Sequence, residues 1–207
     1  MNAVPKTRRI DRLAQRRERL LDEGERLFLS KGYAGASVNE IVRVAGGSLA
    51  TLYSEFGSKE GLFAEIMRRR ASSIFDCDTE GCTHGRTSRG ALLLLARRLL
   101  ERRLSDDFLA LYRIAVNEGP RSPELREAIL NGSFLAFVHT LADVLVALGL
   151  VGARDSRAAA EEFVSLVHGM LLFRAACGNG HVISARRRTQ HCERAVDAFL
   201  TLYPAPQ

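Results

Sequence analysis

The chain has 207 residues, of which 46% are hydrophobic, enough for one large domain or two smaller ones with an ordinary packed core. Its formal charge of +6 favours a polyanionic partner, and the basic residues concentrate in residues 1–20, an arm that could neutralise phosphates or stay a solvated tail. No apolar N-terminal segment predicts secretion, no apolar run is long enough to cross a bilayer, and four scattered cysteines favour a reducing cytoplasm.

The first predicted helix covers about residues 11–30 and ends near Gly32, which suits the positive-φ position that follows many helices. Charged residues occupy the rest of its surface, so the helix is predicted to pack through a single face. That apolar face consists of Leu13, Leu20, Gly24, Leu27 and Phe28.

Three short helices are predicted next. Ser37 and Glu40 have the spacing of a capping box, and the helix that they open must end at Gly46-Gly47. Ser48 is then expected to cap a very short third helix, and Ser58 a longer fourth one. Short helices joined by a glycine turn are how many proteins place a recognition helix in the DNA major groove, although an ordinary helical hairpin has the same pattern.

Apolar periodicity is lost over residues 75–88, which predicts a loop between two regions. Beyond it the sequence indicates five helices and no convincing strand. The expected fold is therefore all-α and has about nine helices. Three of them fit an N-terminal helix-turn-helix bundle, and the others fit a larger helical domain. The five later helices are expected from a Ser88 cap to about residue 104, from Ser105 to Gly119, from a Ser122 cap to about 148, from an Asp155 cap to about 176 and from a Ser184 cap to about 202.

Residues 10–65 resemble the DNA-binding domain of the tetracycline-repressor (TetR/AcrR) family. Residues 115–125 resemble, more weakly, a C-terminal subtype of these regulators. The residues that carry the main resemblance are Gly32, Ser37-Val38, Ile41-Val42, Ala45 to Ser48, Thr51 to Tyr53, Phe56, Ser58 to Glu60 and Leu62-Phe63.

The resemblance implies a cytoplasmic, nucleoid-associated regulator, by default a repressor, that is dimeric and responds to a small molecule. It implies a basic arm and helix-turn-helix domain in residues 1–57 (motif about 37–56), a connecting helix in 58–74 and an effector-binding and dimerisation domain in 75–207. The residues themselves favour no enzyme, since no phosphate loop, nucleophile elbow or paired His and Glu on a helix is present, and we expect no cofactor.

Three residues depart from the family pattern. Gly47 stands where an apolar residue often follows the turn, which should loosen the packing of the two helices. Ala50 stands where glycine is frequent, and Glu55 where an aromatic residue or histidine is common. Because phosphate repels a carboxylate, Glu55 is predicted to point away or to pair with a basic neighbour.

Specific roles at the DNA follow from the resemblance. Ser37 with the amides behind it, the hydroxyls of Thr51 and Tyr53, and the charge of Lys59 are expected at phosphates. Leucine and alanine can contact only a thymine methyl group, whereas asparagine prefers adenine, so shape and phosphate contacts should dominate. Tyr53 could instead pack in the core. The predicted DNA-binding residues are Ser37, Asn39, Ser48, Leu49, Ala50, Thr51, Tyr53, Ser54 and Lys59.

The helix that follows Asp155 is apolar on more than one face, so it must be buried, either within one subunit or in a dimer. The resemblance implies a homodimer through the last two helices, which would read a palindromic operator, and a mostly apolar or aromatic effector oriented by Tyr112, His139 and His168. Residues of each candidate's type are more often plain core than ligand wall. The candidates are Leu95, Leu99, Phe108, Tyr112, Phe134, Phe137, Val138, His139, Leu141, His168 and Phe173.

Two alternatives remain open at this point. Cys77, Cys82 and His84 lie in one polar loop at a spacing that suits a zinc ion or a redox switch, so a metal- or thiol-redox-sensing regulator of the same fold is one alternative. The loop has no Cys-x-x-Cys pair, and we assign no metal site to it. A helical adaptor whose basic arm meets an acidic protein or a membrane is the other alternative. Specific retention of one palindromic DNA would favour the regulator over both.

Overall fold

The computed structural model describes residues 5–75, 86–179 and 183–204, and within these ranges it contains nine helices and no strand. The expected all-α fold is confirmed, and the basic arm is helical from Pro5. The helices are α1 (Pro5–Gly35), α2 (Val38–Ala45), α3 (Leu49–Phe56), α4 (Lys59–Ser72), α5 (Ser88–Arg103), α6 (Asp106–Glu118), α7 (Pro123–Ala147), α8 (Ser156–Arg174) and α9 (Ala185–Leu202).

Shorter elements extend or interrupt these helices. A 3-10 turn, Ser73–Phe75, follows α4, and a π-helical stretch, Ala128–Phe134, lies inside α7. A second π-helical stretch, Ala175–Asn179, follows α8. The loop predicted over residues 75–88 falls largely on residues 76–85, outside the described ranges.

The chain forms two compact units. Unit 1 combines residues 1–67 with residues 114–133, and unit 2 combines residues 68–113 with residues 134–207. The sequence pattern gives no sign that residues 114–133 join the N-terminal helices. Within unit 1 this segment comes close to α4, because a Cβ atom added to Gly132 would lie 3.7 Å from the Cβ of Ala64.

Unit 1 has an aromatic and aliphatic core. The Phe28 and Phe63 rings meet edge to face at 5.1 Å, and Tyr33 stacks on Phe28 at 5.6 Å. A Cβ atom on Gly24 would lie 3.0 Å from Leu62 Cδ2, so the absence of a side chain there lets α1 and α4 approach closely. The side chains with no exposed surface in this core include Leu20, Leu21, Leu27, Ile41, Leu52 and Ile66.

Most of the predicted helix caps are present. The amide N–H groups of Thr51 and Gly61 donate to Ser48 Oγ and Ser58 Oγ, each at 3.1 Å. Ser122 and Ser184 cap α7 and α9 in the same way. Gly32 has the positive φ of 70° that its position predicts. The starts of these helices could be predicted from the sequence because a cap depends on residues only three positions apart.

Three predicted caps are wrong. Ser37 precedes α2 but makes no side-chain cap bond, and Glu40 pairs instead with Lys31 Nζ at 2.8 Å. A carboxylate gains more from a full positive charge than from a neutral amide, which explains why the capping box is not formed. Thr87 caps α5 in place of Ser88, and Asp155 makes no cap bond at the start of α8.

Unit 2 buries its core between α5, α7, α8 and α9. Phe163 and Phe199 meet edge to face at 5.1 Å, and neither has any exposed surface. By length and composition alone α7 could cross a membrane, since its mean hydropathy reaches 1.6 over 18 residues. Its residues Phe137, Val138 and Leu141 lie in this core, as in the buried helix of a soluble protein.

Candidate nucleic-acid interface and ligand-binding core

A left-handed glycine sets the turn between α2 and α3. Gly46 adopts φ 73° and ψ 47°, a conformation that side chains with a Cβ atom rarely adopt, and its N–H donates to the carbonyl of Val42. The N–H of Gly47 donates to the same carbonyl at 2.9 Å. The turn therefore ends α2 sharply, and only three residues separate its last residue from the start of α3 at Leu49.

Helix α3 is anchored by one residue and exposes most of the others. Leu52 has no exposed surface, whereas the rest of the helix is exposed or partly buried. Helix α3 is therefore held in unit 1 through Leu52 and presents its opposite face to solvent. Among the nine predicted DNA contacts, Leu49, Thr51 and Lys59 are partly buried, and Ser37, Asn39, Ser48, Ala50, Tyr53 and Ser54 are exposed.

The hydroxyl groups of Ser48 and Thr51 are coupled. Ser48 Oγ accepts from the Thr51 amide and lies 3.0 Å from Thr51 Oγ1. Both hydroxyls are therefore held at the N-terminus of α3. Free amides at such an end attract anions, so the pair lies where a phosphate contact is expected.

Lys59 is directed into unit 1. Its ammonium group donates to the carbonyl oxygen of Tyr33 and lies 4.4 Å from the centre of the Tyr33 ring. Burial lowers the pKa of Lys59. In this structure Lys59 ties the start of α4 to the end of α1, and its contact with a phosphate stays a prediction.

Glu55 pairs with a basic neighbour, as predicted. The Nε atom of Arg17 lies 3.8 Å from Glu55 Oε2. The same guanidinium group also forms an ion pair with Glu65. The Arg17 guanidinium carbon lies 5.4 Å from the centre of the Phe56 ring. This cluster partly neutralises the one carboxylate of α3, which would otherwise oppose a nucleic-acid backbone.

In unit 2 the predicted pocket residues divide into two groups. Three of them lie on the surface of the single chain, and their place in a pocket stays a prediction: Phe134 is 38% exposed, Phe173 is 61% exposed, and His139 is exposed. They lie on helices that are apolar on several faces, so periodicity could not assign their direction. Tyr112 and His168 are partly buried, and Leu95, Leu99, Phe108, Phe137, Val138 and Leu141 are buried.

Sequence reasoning missed the buried Arg103 at the end of α5. Its guanidinium carbon lies 4.4 Å from the centre of the Phe108 ring and 5.1 Å from that of Phe137. Burial lowers the pKa of Arg103 to about 10. A signal was present, because Arg103 continues the buried stripe of Leu92, Ala96 and Leu99 at helical spacing.

His168 lies near this arginine. Its Nε2 atom is buried and has no hydrogen-bond partner among the described residues. Burial, and then the charge of Arg103, lower the pKa of His168 to about 3, so its ring is neutral near neutral pH. Unit 2 thus contains a cation and a neutral imidazole beside aromatic rings.

Helices α8 and α9 expose large apolar side chains. Met170 is 64% exposed and Leu202 is 62% exposed, values close to that of Phe173. Isolated apolar residues on a surface are common, but two of these lie one turn apart on α8. They indicate a face that another surface could cover.

The cysteine loop lies outside the described residues. Cys77, Cys82 and His84 all fall in the stretch 76–85, so the alternative metal or thiol site cannot be placed. Among the described cysteines, Cys177 is exposed and Cys192 is buried, and burial raises the pKa of the Cys192 thiol. The described part of the chain holds no group of three or more potential metal ligands.

Two family profiles match the chain. The profile "Bacterial regulatory proteins, tetR family" matches residues 20–66, which include the turn at Gly46 and helix α3. The profile "AefR-like transcriptional repressor, C-terminal domain" matches residues 90–205, more than half of the chain. Both units therefore contribute to the resemblance.

Similar proteins are transcriptional regulators. The chain is 40% identical to the transcriptional repressor ComR of Escherichia coli over 53 residues, which are 26% of this chain and a quarter (25%) of ComR. It is 27% identical over 117 residues to the repressor AcnR of Corynebacterium efficiens, which are 56% of this chain and 57% of AcnR. The chain thus spans about a quarter of the length of ComR.

Solved structures match nearly the whole chain. A TetR-family regulator from Mesorhizobium loti has a TM-score of 0.74 at 28% identity, covering 93% of this chain and 98% of that one. The flavonoid-responsive regulator FrrA has a TM-score of 0.67 at 28% identity, covering 93% and 100%. The family and these relatives are regulators rather than enzymes. The chain belongs to the TetR family of bacterial transcriptional regulators.

Proposed function

We propose that this protein is a homodimeric, ligand-responsive transcriptional repressor that binds a palindromic operator and leaves it when a small molecule binds. The observation that carries the proposal is helix α3, which follows a left-handed glycine turn, is anchored by the buried Leu52 and exposes its other face. Repressors among the relatives support the sign of the regulation. Such a regulator works in the cytoplasm, at the nucleoid.

Helix α3 would enter the major groove and read it with few polar groups. Ala50 and Leu49 offer methyl groups to thymine, and Asn39 on α2 offers an amide that suits adenine. Tyr53 is exposed, which supports a contact with the DNA backbone over a place in the core. Since Glu55 is paired with Arg17, no free carboxylate of α3 opposes the phosphates.

A homodimer is supported by the exposed apolar face of α8 and α9. Met170, Phe173 and Leu202 are each more than 60% exposed in the single chain. A second copy would cover them through a two-fold interface, in which the same face of each subunit takes part. Two α3 helices spaced by a helical turn of DNA would then read the two halves of a palindrome.

The effector is proposed to bind in unit 2, near the buried aromatic residues Phe108 and Phe137. The relative FrrA is named a flavonoid-responsive regulator, which supports a flat aromatic effector here. The effector would act by population shift, since it weakens operator binding only by its differential affinity for the two states of the dimer.

Selection of genomic DNA by the purified full-length protein tests the function. We expect enrichment of one roughly palindromic sequence, with binding that weakens as salt rises because phosphate contacts release counterions. Leu49→Ala should weaken binding to that sequence about tenfold and relax its preference. The control is Val116→Ala, which shortens an exposed apolar side chain outside α2 and α3. Unchanged affinity and preference in Leu49→Ala would contradict the proposed reading surface.

The oligomeric state tests the dimer. Phe173→Glu combined with Met170→Glu should turn a dimer into a monomer in analytical ultracentrifugation and abolish binding to the full palindrome, because each carboxylate would be buried in the interface. Val116→Glu serves as the control and should remain dimeric. A monomeric wild-type protein at micromolar concentration would refute the dimer.

A further inference from the structure

Arg103 is a buried cation in an aromatic surround. The residue is 9% exposed, and its guanidinium group lies between the rings of Phe108 and Phe137. Tyr112 extends the aromatic surround, since its ring stacks on Phe108 with centres 6.1 Å apart. Tyr112 is only partly buried, so the cluster reaches solvent.

The aromatic rings contact the flat faces of the Arg103 guanidinium group but provide no hydrogen-bond acceptor for the N–H groups at its edge. Cation–π contact satisfies the flat faces, whereas the N–H groups point outward in the plane and require acceptors. The Nε atom of Arg103 is excluded from solvent and has no acceptor among the described residues. No ion pair joins Arg103 to a described carboxylate, in contrast to Arg97 on the same helix, which lies 3.9 Å from Glu193.

His168 supplies a second unsatisfied polar atom to the same neighbourhood. Its Nε2 is buried and unpartnered in the described part of the chain, and its ring stays neutral. A neutral ring can donate a hydrogen bond to an anion or accept one from a neutral group, depending on its tautomer. Two unpaired buried polar groups beside one another are costly unless a third group completes them.

We propose that Arg103 is the anion-binding residue of the effector site, and that the effector is a small, flat organic acid rather than a neutral apolar molecule. Its carboxylate pairs with the edge of the Arg103 guanidinium, and its aromatic body lies against Tyr112, the partly buried ring at which the cluster reaches solvent. Planar, paired contact of this kind is what arginine offers to a carboxylate. The inference rests on the proposed ligand-responsive function and names the chemistry of its ligand.

Matched acids and amides test the proposal on the full-length protein. Benzoate, trans-cinnamate and 2-naphthoate are each compared with the corresponding neutral amide by calorimetric titration and by thermal shift at millimolar concentration. We expect at least one acid to bind the wild-type protein about tenfold more tightly than its amide, since a charge-assisted pair is lost in the amide. Equal binding of every acid and its amide, or no binding of any acid, overturns the proposal.

Two variants distinguish a binding role from a structural one. Arg103→Met keeps the length of the side chain and removes the charge, so the preference for acid over amide should vanish. The control Arg102→Met removes the same charge from an exposed neighbouring position and should keep the preference. Without ligand, Arg103→Met should melt close to the wild type, because the loss of its cation–π contacts is offset by the removal of a buried charge that no described carboxylate pairs.

The outcomes separate this inference from the proposed function. A preference for the acid that survives in Arg103→Met, or a large loss of thermal stability in that variant, overturns the assignment of Arg103. Operator binding is measured separately in the absence of any acid. If the apoprotein selects no DNA, the proposed function fails while the acid preference still stands or falls on its own.

Discussion

The turn and helix of residues 46–56 and the aromatic cluster around Arg103 position their functional groups by opposite means. Helix α3 is fixed by neighbours in the sequence, namely the glycine turn before it and the Ser48 cap at its start, and its side chains stay largely exposed. Arg103 is fixed by Phe137 and lies near His168, both distant in sequence, and it is buried. The first region is thus specified locally and the second by tertiary packing.

This difference has an energetic consequence. An exposed surface can change its side chains with little effect on stability, so α3 is free to vary with the operator. A buried cation beside a neutral histidine couples its chemistry to the free energy of unfolding. Substitutions and pH should therefore affect the two regions differently.

The largest loss of unfolding free energy is expected at Gly61 in the first turn of α4, where the backbone leaves no room for a side chain. A Cβ atom there would overlap the backbone carbonyl oxygen of Phe56, the last residue of α3. Gly61→Ala should lower the free energy of unfolding by about 3 kcal/mol, since backbone must move, and should weaken DNA binding. Urea unfolding followed by circular dichroism measures the change. Gly152→Ala, in open space, is the control, and equal stability of the two variants would contradict the prediction.

The second prediction concerns pH and the buried cluster. Burial, and then the charge of Arg103, lower the pKa of His168 from 6.5 to about 3 in the folded protein. His168 therefore binds a proton in the unfolded chain at pH values where it stays neutral in the folded chain. Stability is lost as the pH falls below about 6.5, the pKa of the histidine in the unfolded chain. At about pH 5.5 the loss from this group should reach about 1 kcal/mol relative to pH 7.5.

His168→Gln isolates that contribution. The variant should show a flatter decline in unfolding free energy between pH 7.5 and pH 5.5 than the wild type, as measured by urea unfolding at each pH. The control is His139→Gln, which replaces an exposed histidine and should follow the wild-type curve. Parallel curves for wild type and His168→Gln would contradict the lowered pKa, because they would mean that the ring binds a proton equally well in the folded and unfolded chains.

The sequence predicts the two regions unequally, for physical reasons. Three features of the first region could be predicted from the sequence: the turn at Gly46, the Ser48 cap and the pairing of Glu55. Each depends on residue types at close spacing or on the attraction of opposite charges. Arg103 was not recognised, because an arginine in a basic stretch of helix usually extends into solvent. The exposure of Phe173 was also not accessible, since periodicity shows that a helix is apolar but not which partner covers it.

A smaller effect is expected at the local cap of α3. Ser48→Ala removes the acceptor for the Thr51 amide and should cost about 1 kcal/mol of unfolding free energy. Ser37→Ala is the matched control, because Ser37 precedes α2 without making a side-chain cap bond, so its replacement should cost little. The comparison is read by urea unfolding at neutral pH. A cost for Ser37→Ala as large as that for Ser48→Ala would mean that Ser37 caps α2 after all.

The smallest effect, and the only gain in stability, is expected at Gly47. Its φ is not positive, and an added Cβ atom would lie 3.8 Å from Leu20 Cδ2, an ordinary van der Waals contact. Gly47→Ala should therefore raise the unfolding free energy by about 0.5 kcal/mol, because the unfolded chain loses freedom and the turn gains a contact. Gly46→Ala is the control and should lower it, since Gly46 has a φ of 73°. Destabilisation by Gly47→Ala would mean that glycine is required at both positions, so that the turn tolerates none of the apolar side chains common there in the family.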